Sequence, residues 1–480
     1  MMNKINTMKT RILTLTFLWL SSLTVAQNNP WTLQDALEHA LENNLQIKQA
    51  YLNILGAETN KRDAVGNFLP SLNLSAGHSW NIGLNQNITT GLFEDVTTQF
   101  TNASLNVGVD IYKGRQNVLQ LMRSNLAILA NQYQLEDMKT DVVLLVVNSY
   151  LQVLFSRELL HTEQAQLIIG QEELERTRQQ VETGVLPEGD LFEIQATLAA
   201  QEQQTVVSEN NYRLAKISLA QLLLIDDYEN FTIAEEDFPL ASETILSKTP
   251  QELVQKAMEH RDDIKLAQTN LEIAQTDLGI ARAATKPRLS GYYSYSSRIA
   301  YADRLVDSGE VELVPIGFVE SLGAAVVSPS PILEVAKPLS LDEQFKLNDG
   351  HNFGLNLNIP ILNGFAAKNN VDRSRINVSR SEYQYKQQVL DLENTVNQAY
   401  NDARGALEAF EAAQKTLHSR QKAYAYAESR FEVGAATSFE FSRAKQQYEA
   451  AQSEVLRTKY DYIFKIKVLE VYFGIPITEI

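Results

Sequence analysis

Two copies of one unit make up most of this chain, and the duplication constrains the fold more than any other feature of the sequence. The stretch that begins at Gln34 recurs at Gln251, and identical residues follow at a constant offset of 217. A repeat of this length predicts an internally duplicated architecture built from one supersecondary unit. We expect a first repeat over residues 27–239 and a second over residues 240–480.

The two copies differ in length at one place. In the later part of each copy the offset is 250, as in the match of Tyr150 with Tyr400 and of Gly184 with Gly434. The difference between the two offsets predicts an insertion of about 33 residues in the second copy, which we place at residues 301–345.

Each copy predicts the order helix, strand, loop, strand, very long helix, turn and helix. No proline occurs between Pro70 and Pro187 or between Pro360 and Pro476, and residues that favour helices fill the long helices. The predicted helices cover about 33–68, 115–183 and 190–225 in the first repeat and 250–286, 365–433 and 438–473 in the second. At about 1.5 Å per residue each long helix measures ~100 Å, and helices of that length need packing partners.

A glycine ends each long helix in the prediction. Gly184 and Gly434 occupy positions where a left-handed C′ residue would close a helix. The returning helices then begin with capping-box spacing, at Asp190 with Glu193 and at Thr437 with Glu440.

Four segments alternate between apolar and polar residues with the period of a β-strand. They cover residues 71–85, 98–112, 288–300 and 350–362. The polar positions carry mostly Asn, Ser and Gly, and the candidates for a water-facing surface are Asn73, Ser75, Asn81, Asn106, Asp110, Asn356 and Asn358. A half-buried sheet on a soluble core is the alternative interpretation, but the long helices leave no compact core for it.

Lipid on one face and water on the other explains these strands better, because a tilted transmembrane strand needs about 9–11 residues. Unpaired backbone groups in a bilayer cost several kcal/mol each, so four strands cannot remain an open sheet. Two chains would give a barrel whose interior side chains fill, and three would give a wider, water-filled one. The polar faces favour the wider assembly.

The N-terminus predicts a secretory signal peptide over residues 1–26. Lys4, Lys9 and Arg11 precede a short apolar run, and small residues follow it. Cleavage changes the formal net charge from -17 to -20, which disfavours nucleic acid as a partner. The chain has no cysteine for lipid attachment. No later segment is expected to span a membrane, and residues 141–147 are interpreted as a buried helix face.

Repeat, strands, long helices and glycine turns together resemble the TolC family of outer-membrane efflux proteins, over nearly the whole mature chain. The resemblance implies a mainly α fold with a small transmembrane β part. It implies a homotrimer with one 12-stranded barrel, four strands from each chain, that continues into a long α-helical barrel across the periplasm. It also implies the outer membrane of a Gram-negative bacterium. The expected partners are outer-membrane lipid, a periplasmic adaptor and an inner-membrane transporter of RND or ABC type. The exported substrate is left open.

The family pattern V-G-x-x-T-x-x-D is similar to Val433, Gly434, Thr437 and Glu440 here. In the family this acid rings a constricted periplasmic end and attracts cations, so the resemblance implies three candidate gate residues: Glu440, Asp190 and Glu193. A further family acid is replaced by Arg443, which weakens such a ring. The candidate adaptor-docking residues are Gly184, Val185, Leu186, Gly434, Ala435 and Ala436. Helix capping by Glu440 and simple packing within the turns are the alternative roles.

Two other classes of function fit the sequence less well. The sequence has no HExxH, GxSxG, P-loop or GxGxxG motif, and its six histidines are scattered, so we expect neither catalysis nor a metal or cofactor. A secreted or periplasmic coiled-coil scaffold or adaptor would explain the helices and the repeat, but not the four amphipathic strands. Extraction separates the two interpretations, because only a barrel requires detergent. The insertion joins two strands opposite the long helices, so we expect it outside the cell.

Overall fold

The structure, a computed structural model, describes residues 30–87, 89–236, 238 and 243–472. The predicted signal peptide lies outside these residues.

The first repeat contains α1 (Leu33–Asn43), α2 (Leu45–Gly66), β1 (Ser71–Asn81), β2 (Leu84–Gln86), β3 (Phe93–Asp95), β4 (Thr98–Lys113), α3 (Gln116–Glu182) and α4 (Glu188–Leu222). The second contains α5 (Glu243–Leu246), α6 (Pro250–His260), α7 (Asp262–Ala283), β5 (Arg288–Ala300), β6 (Arg304–Val319), β7 (Ala324–Ala336), α8 (Leu341–Leu347), β8 (Gly350–Asn358), α9 (Ala366–Glu432) and α10 (Ser438–Tyr472).

The first helix of each repeat is broken, so the predicted single helices over 33–68 and 250–286 are wrong in this respect. The breaks fall at Asn44 and Arg261, which the 217-residue offset relates to each other. Asn44 Oδ1 accepts hydrogen bonds from the backbone N–H groups of Gln46 (2.8 Å) and Ile47 (3.3 Å), and so starts a new helix. At the second break Asp263 Oδ1 accepts from the N–H of Ile264 at 2.8 Å. Such side-chain bonds compete with the helical hydrogen bonds of the backbone.

Two of the predicted strands are shorter in the structure. The first ends at Asn81 because Gly83 takes a positive φ of 119° and turns the chain into a separate two-stranded hairpin, β2–β3. The last ends at Asn358, shortly before Pro360, which lacks the N–H group that a strand ladder needs.

The four long strands form one antiparallel sheet in the order β1-β4-β5-β8. Ser71 pairs with Gly108 in the first hairpin, and Arg288 pairs with Asn358 in the second. The offsets of 217 and 250 convert one pair into the other, so the duplication extends to the strand register. Within the part of the chain that the structure describes, β1 and β8 pair with no strand on their outer sides.

The insertion folds into more regular structure than the sequence indicates. Strands β6 and β7 pair with each other as a long antiparallel hairpin, and the short helix α8 packs against β5. Proline at positions 315, 329 and 331 disfavours strands in general, but a two-stranded ribbon tolerates proline because both of its strands are edges.

The chain divides into two compact units: the described parts of 1–57, 127–271 and 380–480, and residues 58–126 with 272–379. The first unit has a core for each repeat. One surrounds Val146, Tyr150 and Leu219, and the other surrounds Val396 and Ile466. In each core, a helix of the broken N-terminal pair packs with the long helix and the return helix of the same repeat. The second unit holds the sheet.

The long helix α3 corrects one expectation. Its length and composition would allow it to cross a membrane, so the expectation that no later segment is apolar enough was too strict. However, Val142, Val146 and Val147 are buried within the first unit, as predicted for the apolar run around residues 141–147. A core helix passes the same test of composition.

Candidate functional site

The polar positions of the four-stranded sheet share one face. Asn73 pairs with Asn106, Asn106 with Ser294, and Ser294 with Asn352, which makes a polar row across all four strands. Ser294 Oγ donates to Asn106 Oδ1 at 2.7 Å within this row. Alternation along the strands places all seven candidate residues on this same face: Asn73, Ser75, Asn81, Asn106, Asp110, Asn356 and Asn358.

The other face of the sheet is apolar, and its large side chains on the two edge strands are exposed. Leu74 and Phe353 are 77% and 76% exposed, and every residue of β1 is exposed. A sheet packed on a soluble core would bury one of its two faces, so that alternative does not describe this sheet. An apolar face of this extent marks a surface that meets another apolar medium or another molecule.

The two interhelix turns, residues 183–187 and 433–437, have the same backbone geometry. Gly184 has φ +74° and Gly434 has φ +72°, as predicted for residues that end helices. The N–H of Val185 bonds the carbonyl of Gln180 at 2.8 Å, and the N–H of Ala435 bonds that of Arg430 at 2.8 Å. In each turn the N–H of the glycine also bonds the carbonyl of the residue three positions earlier. The two hydrogen bonds together make each turn a Schellman motif.

The starts of the return helices only partly follow the capping prediction. The N–H of Glu440 bonds Thr437 Oγ1 at 3.2 Å, as expected of a cap. The prediction is wrong at Asp190, because α4 begins earlier, at Glu188. Its N-cap residue is Pro187, whose side chain has no acceptor for a capping hydrogen bond. The carboxylate of Asp190 instead accepts a hydrogen bond from Ser438 Oγ of the other repeat.

The three candidate gate acids differ in exposure. Glu440 is exposed, whereas Asp190 and Glu193 are half-buried. The six candidate docking residues also differ. Val185 and Ala435 are exposed, but Leu186 and Ala436 pack onto a small cluster of Ile194, Phe431 and Phe441. Packing within the turns therefore accounts for the second pair.

Sequence reasoning missed several residues near these turns. The side chains of Phe192, Val433 and Phe439 are large, apolar and more than half exposed. Ser438 is buried and supplies the bond to Asp190. For Phe192 and Phe439 the available signal was an aromatic residue in the first turns of a predicted return helix. The Ser438 contact gave none, because it joins residues 248 apart.

A buried polar network joins three helices in the first unit. Lys445 Nζ of α10 lies 2.8 Å from a carboxylate oxygen of Glu173 on α3 and 4.0 Å from one of Glu449. Gln201 Nε2 of α4 donates to Glu449 at 2.9 Å. Burial raises the pKa of both glutamates, and Lys445 opposes that shift. The network borders a cavity of about 290 Å³. In the sequence these residues looked like ordinary solvent-facing helix positions.

The described residues contain no group of three or more His, Asp or Glu side chains arranged to hold a metal ion.

Comparison with known proteins gives one family. Residues 36–223 and 253–467 match the family model described as outer membrane efflux protein. The two matched segments lie within the two repeats and flank residues 224–252.

Individual relatives and a solved structure agree with that family. The chain is 25% identical over 426 residues to Protein CyaE of Bordetella pertussis, covering 88% of this chain and 79% of the relative. It is 23% identical to the pyoverdine export outer membrane protein OpmQ of Pseudomonas aeruginosa, covering 89% and 81%. The crystal structure of the outer membrane protein VceC from Vibrio cholerae superposes with a TM-score of 0.73 at 16% identity and covers 92% of this chain and 96% of that one.

Proposed function

Since this chain belongs to the outer membrane efflux protein family, we propose that three copies combine their four-stranded sheets into one 12-stranded barrel. The protein is the outer-membrane exit duct of an efflux or secretion system in a Gram-negative bacterium and extends into the periplasm. The polar row of Asn73 and Asn106 then lines the lumen, and the apolar face of the sheet meets lipid. The long helices continue the duct as an α-helical barrel.

The sheet supplies the observation that carries this proposal. Among the described residues it has two unpaired edges, one uncovered apolar face and no core packed against that face. In a bilayer each unpaired backbone group costs several kcal/mol, so β1 and β8 need partners. Pairing β8 of one copy with β1 of the next satisfies both edges and closes the sheet.

The duplication supports a specific register for that pairing. Within the chain β4 pairs with β5, and Gly108 faces Tyr292. The offsets of 250 and 217 carry this pair to Asn358 and Ser75, on β8 and β1. We therefore propose that Asn358 of one copy faces Ser75 of the next, and that the strands continue antiparallel from there.

Paired cysteines test this register, because the chain has none of its own. In the double variant Asn358→Cys with Ser75→Cys, facing Cα atoms would lie ~5 Å apart, within reach of a disulfide. Inside one chain two strands separate β1 from β8, a distance of ~14 Å that no disulfide spans. Mild oxidation should therefore convert most of the protein into covalent oligomers on a denaturing gel.

The matched control pairs Asn358→Cys with Asn81→Cys. Asn81 lies six residues from Ser75 along β1, or ~20 Å, so this variant should stay monomeric on the same gel. The purified protein should also require detergent and conduct ions in planar bilayers. A monomeric protein that is soluble without detergent and gives no conductance would refute the channel. Equal cross-linking of both variants would refute only the register.

The other end of the duct is proposed to meet the periplasmic adaptor. The exposed residues of the interhelix turns, Val185 and Ala435, offer an apolar docking surface, and Phe192, Val433 and Phe439 enlarge it. Glu440, Asp190 and Glu193 are proposed to control ion passage at this end. An inner-membrane transporter of RND or ABC type would deliver the cargo through the adaptor.

A further inference from the structure

The hairpin of β6 and β7, which we call the ribbon, stands apart from the rest of the second unit. Its strands run over Arg304–Val319 and Ala324–Ala336 and pair along most of their length. In the described residues neither strand packs extensively against another element. A two-stranded hairpin alone in water is marginally stable at best, so a ribbon of this length needs a cover.

One face of the ribbon is almost wholly apolar. Because side chains alternate along a strand, every odd-numbered residue of β7 lies on this face. The register adds the residues of β6 that pair with them. The members are Leu305, Asp307, Val311, Leu313, Pro315, Phe318, Ala325, Val327, Pro329, Pro331, Leu333 and Val335. Asp307 is the one charged residue among them. We call this surface the apolar face of the ribbon.

The two faces of the ribbon differ in exposure and in composition. Leu313 is 66% exposed and Phe318 is 76% exposed on the apolar face. The opposite face mixes polar and apolar residues, and several of them are half-buried: Glu312, Glu334 and three serines lie there with Val306, Val314, Val319, Val326 and Ile332. The ribbon thus resembles one layer of a two-layer β structure whose second layer is missing.

Charge argues against lipid as that second layer. Between Arg304 and Ala336 the sequence has five acidic residues and one basic residue. Segments that bind an anionic lipid surface carry the opposite charge. The phosphorylated lipids on the outside of the outer membrane would therefore repel the ribbon rather than hold it.

The position of the ribbon in the sheet favours another copy of this chain. After β5 the chain leaves the sheet and forms the ribbon. It then returns through α8 to β8, which is one of the two edge strands of the sheet. In the proposed trimer β8 borders the next copy, so each ribbon is rooted at a boundary between copies. Three identical apolar faces can then cover one another around a three-fold axis without leaving any of them bare.

We propose that the apolar faces of the ribbons from different copies pack together and form a collar that narrows the outer mouth of the channel. This inference rests on the proposed trimeric channel and adds a constriction at its outer mouth. A ring of Leu313 and Phe318 side chains would exclude water and so impede ions. Passage of cargo would require the ribbons to separate.

Single cysteines on the two faces test the collar in intact outer membranes. Leu313→Cys lies on the apolar face, and its chain neighbour Glu312→Cys lies on the opposite face as the matched control. Both positions are exposed in an isolated chain. We expect a membrane-impermeant maleimide to label Leu313→Cys about tenfold more slowly, the ratio expected if uncovering costs ~1.4 kcal/mol. A short bismaleimide should join two copies through Leu313→Cys and not through Glu312→Cys.

Each other outcome overturns the collar in a distinct way. Equal labelling of the two variants means that nothing covers the apolar face. Protection of Leu313→Cys without cross-linking, lost when detergent replaces lipid, means that the membrane covers it. Either result leaves the channel standing if the Asn358→Cys and Ser75→Cys variant still cross-links. Loss of that cross-link as well would instead remove the trimer on which the collar rests.

A conductance measurement supplies an independent readout. Replacing residues 305–335 with a short Gly-Ser linker removes the ribbon and leaves the sheet strands. If the ribbons narrow the mouth, this variant should conduct more than the full chain in planar bilayers while remaining trimeric. An unchanged conductance from a trimeric variant would overturn the constriction.

Discussion

Ser438 donates a hydrogen bond from its hydroxyl to the carboxylate of Asp190 and thereby joins the first turns of the two return helices. Ser438 is buried, and Asp190 is half-buried. The bond connects the two repeats next to the interhelix turns. A hydrogen bond to a charged group contributes about 1.5–3 kcal/mol, so this contact restrains the relative motion of the two helix starts.

We expect Ser438→Ala to loosen this end of the protein. The variant removes the donor and leaves the Asp190 carboxylate short of one partner. Channel conductance in planar bilayers should increase, and the thermal midpoint should fall. Ser429→Ala is the matched control, because the Ser429 hydroxyl bonds the carbonyl of Ala425 within its own helix. Equal effects of the two substitutions would show that the contact with Asp190 restrains nothing.

Glu440→Ala is expected to weaken the preference of the channel for cations. The exposed carboxylate lies in the first turn of α10, and three copies would form an acidic ring there. Reversal potentials in a salt gradient measure the preference. Glu440→Asp keeps the charge and should keep the selectivity. Selectivity that stays the same in Glu440→Ala would leave the glutamate only its place in the helix cap.

The parts of the fold that depend on long, uniform patterns were predictable. Proline-free runs predicted helices over 115–183 and 365–433, and the structure has them at Gln116–Glu182 and Ala366–Glu432. Strand alternation and the repeat together led to the family, which the comparisons confirm. The breaks at Asn44 and Arg261 escaped because single side-chain bonds decide them, against a background of good helix formers.

The functional details were harder to predict, for a different physical reason. The ribbon was missed because its prolines count against strands, although a two-stranded ribbon has only edges. The bond from Ser438 to Asp190 and the network around Lys445 join residues far apart in sequence. Their side chains are polar on helices whose solvent-facing positions are also polar, so no periodic pattern marks them as buried.

Two equivalent glycines should respond differently to alanine. Gly114 and Gly364 both have φ +60°, which a side chain disfavours by about 1–2 kcal/mol. A Cβ on Gly114 would also lie 2.6 Å from the carbonyl oxygen of Ala283, whereas around Gly364 the space is open in a single chain. Gly114→Ala should therefore impair folding of the chain itself, with a total cost of about 2–5 kcal/mol.

The proposed trimer changes the expectation for Gly364. The repeat offset carries Ala283 to Gly66, so in the proposed assembly the carbonyl of Gly66 from the next copy would occupy the space beside Gly364. Gly364→Ala should yield a folded chain whose trimers dissociate more readily on native gels. Trimers as stable as those of the unchanged protein would argue against the pairing of β8 with β1.

The ion pairs around Arg261 predict a pH dependence with opposite signs at two aspartates. Burial raises the pKa of Asp137 to about 6, although Arg261 lies 3.6 Å away and opposes the shift. Burial would raise the pKa of Asp263 too, but two hydrogen bonds from Arg261, at 2.8 and 3.1 Å, outweigh it and lower that pKa.

For Asp137 the folded state binds the proton more tightly than the unfolded chain, so stability is lost as pH rises from about 4 to 6. The loss is at most about 3 kcal/mol, from a shift of roughly two pKa units at 1.36 kcal/mol each.

Asp137→Asn stays neutral and should escape this loss, so its thermal midpoint should rise relative to the unchanged protein as pH increases to 7. Asp263→Asn should show the reverse, because the ionised carboxylate of Asp263 stabilises the fold above its lowered pKa. Thermal melts of both variants in detergent between pH 2 and 7 measure the two slopes, because the Asp137 slope lies between about pH 4 and 6 and the Asp263 slope lies below its usual pKa of 3.8. Slopes of the same sign would contradict the assignment of opposite shifts to this pair.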